Sequence, residues 1–250
     1  MILAVLGQLG DAVRFIFVQS EGPGGAQVGG HQLLPLLREH LLVTVVAVSV
    51  AAAIALPLGL WLGHTRRGSF LVVSITNAGR AVPSIGVVFL FFAFLGAGFR
   101  NITLALVLLA IPPILLNAYA GIRTVDAETV DAARGMGLTG LQVVRRVELP
   151  LALPLVFGGV KTATVNVIAT ATLGPEAGVV TLGDPIINPS SYGEAGRLGA
   201  AILVAALAIA AEVGLSAVQR RLEPKGLEFA DVPGPRRRPA IIKRKVAPIP

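Results

Sequence analysis

The run His40–Gly63, HLLVTVVAVSVAAAIALPLGLWLG, carries no Asp, Glu, Lys or Arg and leads into the basic turn His64-Thr-Arg-Arg-Gly68. A hydrocarbon layer of about 30 Å is crossed by about 20 apolar residues in helical form, so this run reads as a membrane span. The composition of the whole chain agrees. Of 250 residues, 54% are hydrophobic and only 14% charged, with a mean hydropathy of +0.78. A soluble domain averages about 25% charged residues, so this chain lacks the charge to coat a globule of its size. Aromatics are 5%, which leaves Ala, Val, Leu and Ile as the apolar stock and suits close helix packing in lipid. With no Cys there is no disulfide framework or thiolate metal site, and His31, His40 and His64 are too far apart in sequence to suggest a metal cluster. The expected fold class is all-α, a polytopic helical membrane protein.

Four more spans follow: Phe70–Ala97, interrupted by Asn77-Ala-Gly-Arg-Ala-Val-Pro-Ser84; Ile102–Ile122, with Pro112-Pro113 expected to kink it; Leu151–Pro175; and Leu198–Val218. Backbone amides in lipid must be bonded internally, which makes helices the expected form of all five. Fifteen Lys and Arg residues fall in the 64–69 turn, the 123–150 loop and the tail from 219, against four on the other side. By the positive-inside rule the N-terminus lies outside and the C-terminus in the cytoplasm. Because the basic residues sit at span ends and in the tail, they read as topological signals, and no nucleic-acid partner is expected. Residues 2–18 are short and hold Asp11 and Arg14, so a surface-lying helix is expected there in preference to a sixth crossing or a cleaved signal. Residues 20–30 read as a flexible Gly-rich linker by composition. The Pro-rich tail, with Arg236-Arg-Arg238 and Lys243-Arg-Lys245, is expected to be disordered and could rest on anionic lipid.

The loop between the third and fourth spans, Arg123 to Pro150, is more patterned than a tether needs. Asp126 can cap one short helix, with Glu128 in its first turn, and Gly137 supplies a left-handed stop. Thr139 and Gln142 have capping-box spacing for a second short helix, and Pro150 suits the first turn of the next span. Two capped helices on the cytoplasmic side predict a docking surface for a partner.

Asp131-Ala-Ala-x-x-x-Gly137, nine residues, then Val147-x-Leu-Pro150 resembles the "EAA" loop of ATP-binding-cassette (ABC) importer permeases. The family usually has Glu where Asp131 stands and Ile where Val147 stands. Within it, Ala132–Thr139, Arg146–Pro154, Thr170–Leu173, Leu182–Pro185 and Pro83-Ser84 look like the glycine betaine/choline/proline branch, which takes up compatible solutes. Two stretches depart from that pattern, Gly174–Thr181 and Arg80, where relatives often have Gln.

The resemblance implies a MetI-like type I importer permease with about five core helices over residues 38–222, flanked by an N-terminal segment (1–37) and the basic tail (223–250). It makes Asp131, Ala132, Ala133, Gly137, Leu149 and Pro150 the ATPase-coupling residues, and Arg80, Pro83, Ser84, Thr172 and Glu176 candidates to line the pathway. No G-x-x-x-x-G-K-[ST] pattern exists, so ATP and Mg would be held by a separate ATPase subunit and none by this chain. The other implied partners are an extracytoplasmic solute-binding protein and a second permease copy, identical or homologous, in the lipid bilayer of a bacterial inner membrane. With one Trp and two Tyr, no aromatic cage for a quaternary ammonium group is readable. An unpaired Arg80 would repel a cation, which favours neutral or zwitterionic cargo unless an acid such as Glu176 pairs with it. The competing expectations are a permease for an amino acid or methionine and, from another class, a secondary transporter or channel.

Overall fold

The computed structural model describes residues 2–223, with side chains from residue 7 onward; the basic tail and its expected disorder lie outside the described residues. The order of elements is α1 (Ile2–Phe17), the strands β1 (Ser20–Glu21) and β2 (Gln27–Val28), α2 (Leu33–His64), α3 (Ser69–Ala81), α4 (Ser84–Leu95), α5 (Phe99–Arg123), α6 (Ala127–Gly135), α7 (Gly140–Val143), α8 (Leu149–Thr170), α9 (Asp184–Ile187) and α10 (Pro189–Leu222). Among the described residues, four helical stretches are long and apolar enough to cross a membrane: 30–64, 99–123, 140–177 and 189–222. Helices α3 and α4 make a fifth candidate as one broken span, bent by 90°. Val82 and Pro83 make that bend in extended conformation, as expected where a residue precedes proline.

The centre of the bundle is the contact between α2 and α5. Helix α2 presents Ala47, Ala51, Ala55, Gly59 and Gly63, one small residue every fourth position, all buried. Facing them, α5 presents Ala110, Ile114, Ala118 and Ile122 at the same spacing, also buried. Residues four apart form the ridges by which helices interlock, and small ones let the backbones approach where lipid supplies no hydrophobic drive. The approach is close: a Cβ at Gly59 would lie 2.7 Å from Ala118 Cβ and 2.9 Å from the Leu115 carbonyl oxygen. Gly159 plays the same part between α8 and α5, where an added Cβ would lie 2.8 Å from the Pro113 carbonyl oxygen. Gly79 of α3 lies against the Pro112 ring. The Pro112-Pro113 pair, expected as a kink, sits within a helix that runs unbroken from Phe99 to Arg123. It deprives the carbonyls of Leu108 and Leu109 of their helical donors.

Helix α1 has 16 residues, about 24 Å at the α-helical rise and short of a bilayer core. It docks on α10 through Phe15, whose ring meets Gly196 and Gly199. The stretch read as a flexible linker is instead a hairpin, with Ser20 paired to Val28 and Glu21 to Gln27. Its glycines serve turn geometry: Gly25, Gly29 and Gly30 all have positive φ. Val28 anchors the hairpin in a buried cluster with Phe15, Leu33, Leu36 and Leu182. That cluster also begins α2 at Leu33, so the helix runs through the boundary expected at residue 38.

Replacing Gly59 by Val forces a branched side chain against the Leu115 carbonyl, and overpacking of this kind costs about 1–3 kcal/mol. The expected result is a lowered thermal midpoint of the detergent-solubilised protein, with a smaller fall for Gly59→Ala. An unchanged midpoint for Gly59→Val would mean that the α2–α5 approach is not what holds the bundle.

Candidate functional site

The 123–150 loop is built from its caps inward. The Asp126 carboxylate accepts the Thr129 N–H at 3.3 Å and opens α6, with Glu128 in the first turn. At the other end, the Gly137 N–H bonds the Arg134 carbonyl at 2.9 Å and the Leu138 N–H bonds the Ala133 carbonyl at 3.2 Å. These are the two bonds of a Schellman stop, with Gly137 at φ +86° in the left-handed position. An added Cβ at Gly137 would meet nothing within 4 Å, so glycine is needed there for its backbone and not for space. The Gln142 side-chain oxygen then accepts the Thr139 N–H at 2.8 Å, starting α7. Between the two helices lies a small core of Val125, Val130, Ala133 and Val143, closed by Leu138 and Val147.

The residues singled out in this loop divide into an outer and an inner set. Asp131, Ala132 and Gly137 are exposed, beside exposed Met136 and Leu141. Asp131 makes only a long contact with Arg134, 3.9 Å, on the same open face. Ala133 points into the small core, so a partner reaching the loop meets Ala132 and not its neighbour. Leu149 packs with Ala118, Ile122, Ala152 and Val156, fastening α8 to α5. Pro150 lies in the first turn of α8.

The second short helix does not end before that span, however. After Val143 the chain makes one π-helical turn, Val144–Glu148, and continues as α8, so residues 140–177 form one helical stretch. The widened turn falls directly before Pro150, where the absent N–H and the ring would strain a regular α-helix.

Two histidines set aside as isolated prove to be fasteners. His64, at the end of α2, places Nδ1 2.7 Å from Oε2 of Glu148, whose side chain is 5% exposed. A carboxylate so buried needs a partner, and the pair ties the start of α8 to the end of α2. His40 is fully buried, with Nε2 3.0 Å from the Ile168 carbonyl oxygen. A carbonyl only accepts, so Nε2 carries the proton. Nothing in the sequence marks either pair, whose members lie 84 and 128 positions apart.

The second element of the site is a cavity of about 620 Å³ between the α3–α4 bend, α5 and α8. Its polar lining includes Thr76, Arg80, Ser84, Asn117, Thr162 and Asn166. Thr170, Gly79, Val82, Leu109, Leu116 and the two prolines of α5 complete the wall. Arg80 and Ser84 therefore face one space, with Pro83 forming the corner between them. Thr172 and Glu176 do not join them. They lie in the 3-10 stretch Ala171–Ala177 beyond the end of α8, where the Thr172 hydroxyl donates to the Ala169 carbonyl at 2.6 Å. Nor does Glu176 pair with Arg80: no ion pair among the described residues includes either. The atypical segment Gly174–Thr181 packs on its own chain, the Thr181 hydroxyl donating to the Ala171 carbonyl at 2.9 Å. Asp184 is likewise engaged locally, accepting from Tyr192 and Asn188 at 2.6 Å each. Lys161 Nζ reaches Ser216 Oγ at 3.3 Å.

If the His64–Glu148 contact fastens α2 to α8, His64→Ala and Glu148→Ala each lower the thermal midpoint, and the double variant falls no further than the worse single one. Losing one partner of a buried polar pair costs about 1–3 kcal/mol. Additive losses in the cycle would show that the two side chains act independently.

Residues 55–226 match the family described as binding-protein-dependent transport system inner membrane component. The chain is 34% identical over 203 residues to the glycine betaine/carnitine/choline transport system permease protein OpuCB of Bacillus subtilis, covering 81% of this chain and 94% of that one. It is 35% identical over 205 residues to the carnitine transport permease protein OpuCB of Listeria monocytogenes, covering 82% and 94%. Among solved structures, the MetNI methionine ABC transporter in an inward-facing conformation superposes with a TM-score of 0.68 at 22% identity, covering 77% of this chain and 96% of that one. That likeness is one of fold. The chain belongs to the binding-protein-dependent transport system inner membrane components, the multi-pass permease subunits of ABC importers.

Proposed function

We propose that this permease moves a small compatible solute of the glycine betaine, choline, carnitine or proline type into the cell. The observation that carries the reading is the similarity to osmoprotectant permeases, which runs over 94% of their length at 34–35% identity. In this reading the chain binds no nucleotide. ATP and Mg are held by a cytoplasmic ATPase subunit, an extracytoplasmic receptor delivers the solute, and a second permease copy completes the pathway. The loop side, the basic turn at 66–67 and the C-terminus face the cytoplasm, and the N-terminus lies outside.

The route of coupling follows from rigidity. The ATPase engages the outer face of α6, at Asp131, Ala132 and Gly137. The small core under Ala133 carries any displacement of α6 into α7. Helix α7 passes without a break into α8, and α8 contributes Thr162, Asn166 and Thr170 to the cavity wall. Closure of the ATPase subunits thus tilts one wall of the pathway. Leu149 and the His64–Glu148 contact link the near end of α8 to α5 and α2, so those helix ends move with it.

The reading is tested by reconstituting the permease with its ATPase and receptor and measuring uptake of labelled glycine betaine, choline, carnitine and proline. Uptake of at least one is expected, lost when ATP is withdrawn while the ion gradient is held. Uptake of none of the four, or uptake indifferent to ATP, would rule the assignment out. In the same assay Gly137→Asp is expected to reach the membrane yet abolish uptake. Asp tolerates the left-handed conformation better than most residues, so the loss would come from the docking face and not from unfolding. Full uptake by that variant would remove α6 from the coupling route.

A further inference from the structure

Among the described residues, Arg80 is the only charged one in the lining of the α3–α5–α8 cavity, and no carboxylate of theirs joins it there. None of the ion pairs among the described residues includes it. Two of the neighbouring hydroxyls are weak competitors for an anion, while Ser84, Thr170 and Asn166 are neutral donors beside it. Thr76 donates to the Val72 carbonyl at 2.8 Å and Thr162 to the Gly158 carbonyl at 2.9 Å, which directs their protons to their own helices. The Asn117 amide likewise donates to the Pro113 carbonyl at 2.9 Å. A guanidinium with five donors in a planar fork is thus the dominant group in a space otherwise walled by neutral and apolar side chains.

We propose that Arg80 binds the carboxylate of the transported solute, and that this cavity separates zwitterions bearing a carboxylate from simple organic cations. The inference rests on the osmoprotectant reading and sharpens it. A zwitterion such as glycine betaine answers both parts of the cavity: its carboxylate meets Arg80, and its methyl groups meet Val82, Leu109 and Leu116. Choline carries the same trimethylammonium group with a neutral hydroxymethyl group in place of the carboxylate. It would bring a second positive charge beside Arg80 with nothing in the cavity lining to neutralise it. A volume of about 620 Å³ admits either molecule, so selection here is by charge and not by size. The permease then applies a filter of its own, whatever the receptor delivers.

The test is equilibrium binding of labelled glycine betaine and labelled choline to the permease–ATPase complex in nanodiscs, with the receptor omitted. Wild type is expected to bind glycine betaine at least about tenfold more tightly than choline, the scale of a charge-assisted hydrogen bond. Arg80→Gln is expected to weaken glycine betaine binding by about tenfold or more while choline binding stays level or improves, and Arg80→Lys to restore part of the loss. Equal loss of both solutes, or no change, would make Arg80 a structural residue and overturn the proposal. So would the absence of binding by wild type, or displacement of labelled glycine betaine by equimolar choline, a measurement that needs no variant. Failure of the complete importer to take up any of the four solutes overturns the osmoprotectant reading. Uptake of glycine betaine with unaltered binding in Arg80→Gln overturns only the role given to Arg80.

Discussion

The close approach of α2 and α5 is the constraint on which the remaining structure depends. In lipid, helices gain nothing by hiding apolar surface from one another, so association rests on packing and on the bonds that small residues permit. Alanine and glycine at every fourth position of α2 leave the α5 backbone exposed to close contact, and α3, α4 and α8 pack on α5 in turn. Helix α8 reaches α5 through Gly159 and Gly121, and α3 reaches it through Gly79. The cavity is what remains between α5, α8 and the α3–α4 bend once those contacts are made. Its position is thus set by close glycine contacts, of which Gly79 lies in its wall and Gly121 and Gly159 lie outside it.

Those features that depend on local chemistry were legible in the sequence. Span positions follow from runs of apolar residues, and the ends of α6 follow from Asp126 and Gly137, whose side chain and backbone freedom act within a few residues. The break at Pro83 was legible for the same reason. What depends on distant partners was not. Helix α2 begins at Leu33 because Leu33 and Leu36 bury against Phe15, Val28 and Leu182, a cluster assembled from four parts of the chain. The glycine-rich stretch before it reads as flexible by composition, and the anchor at Val28 turns it into a hairpin.

The histidines make the same point more sharply. Scattered in sequence, they suggested no site, yet His40 and His64 each join α2 to α8, at opposite ends of the pair. The π turn before Pro150 was equally hidden: Pro150 stands in the first turn of α8, as its position in the sequence suggested, but the helical stretch already runs into it from α7. Within the cavity, Arg80 and Ser84 share one wall because Pro83 folds the chain by 90° between them. Thr172 and Glu176 follow α8 in sequence, yet the 3-10 stretch carries them away from that wall.

The unbroken stretch from Gly140 to Ala177 has a mechanical consequence. Among its glycines the closest seat on α5 is Gly159, which would divide it unequally for a rocking motion about that point. At the α-helical rise, Gly140 lies about 28 Å from that seat, while Thr162, Asn166 and Thr170 lie only about 5–16 Å beyond it. If the proposed coupling rocks it as a rigid beam about that point, it acts as a reduction gear: a shift of about 3 Å at the loop end arrives as roughly 0.5–1.7 Å at the cavity wall. Stroke is exchanged for force. Such gearing suits a passage for small solutes, in which a sub-ångström to ångström change in clearance separates open from shut.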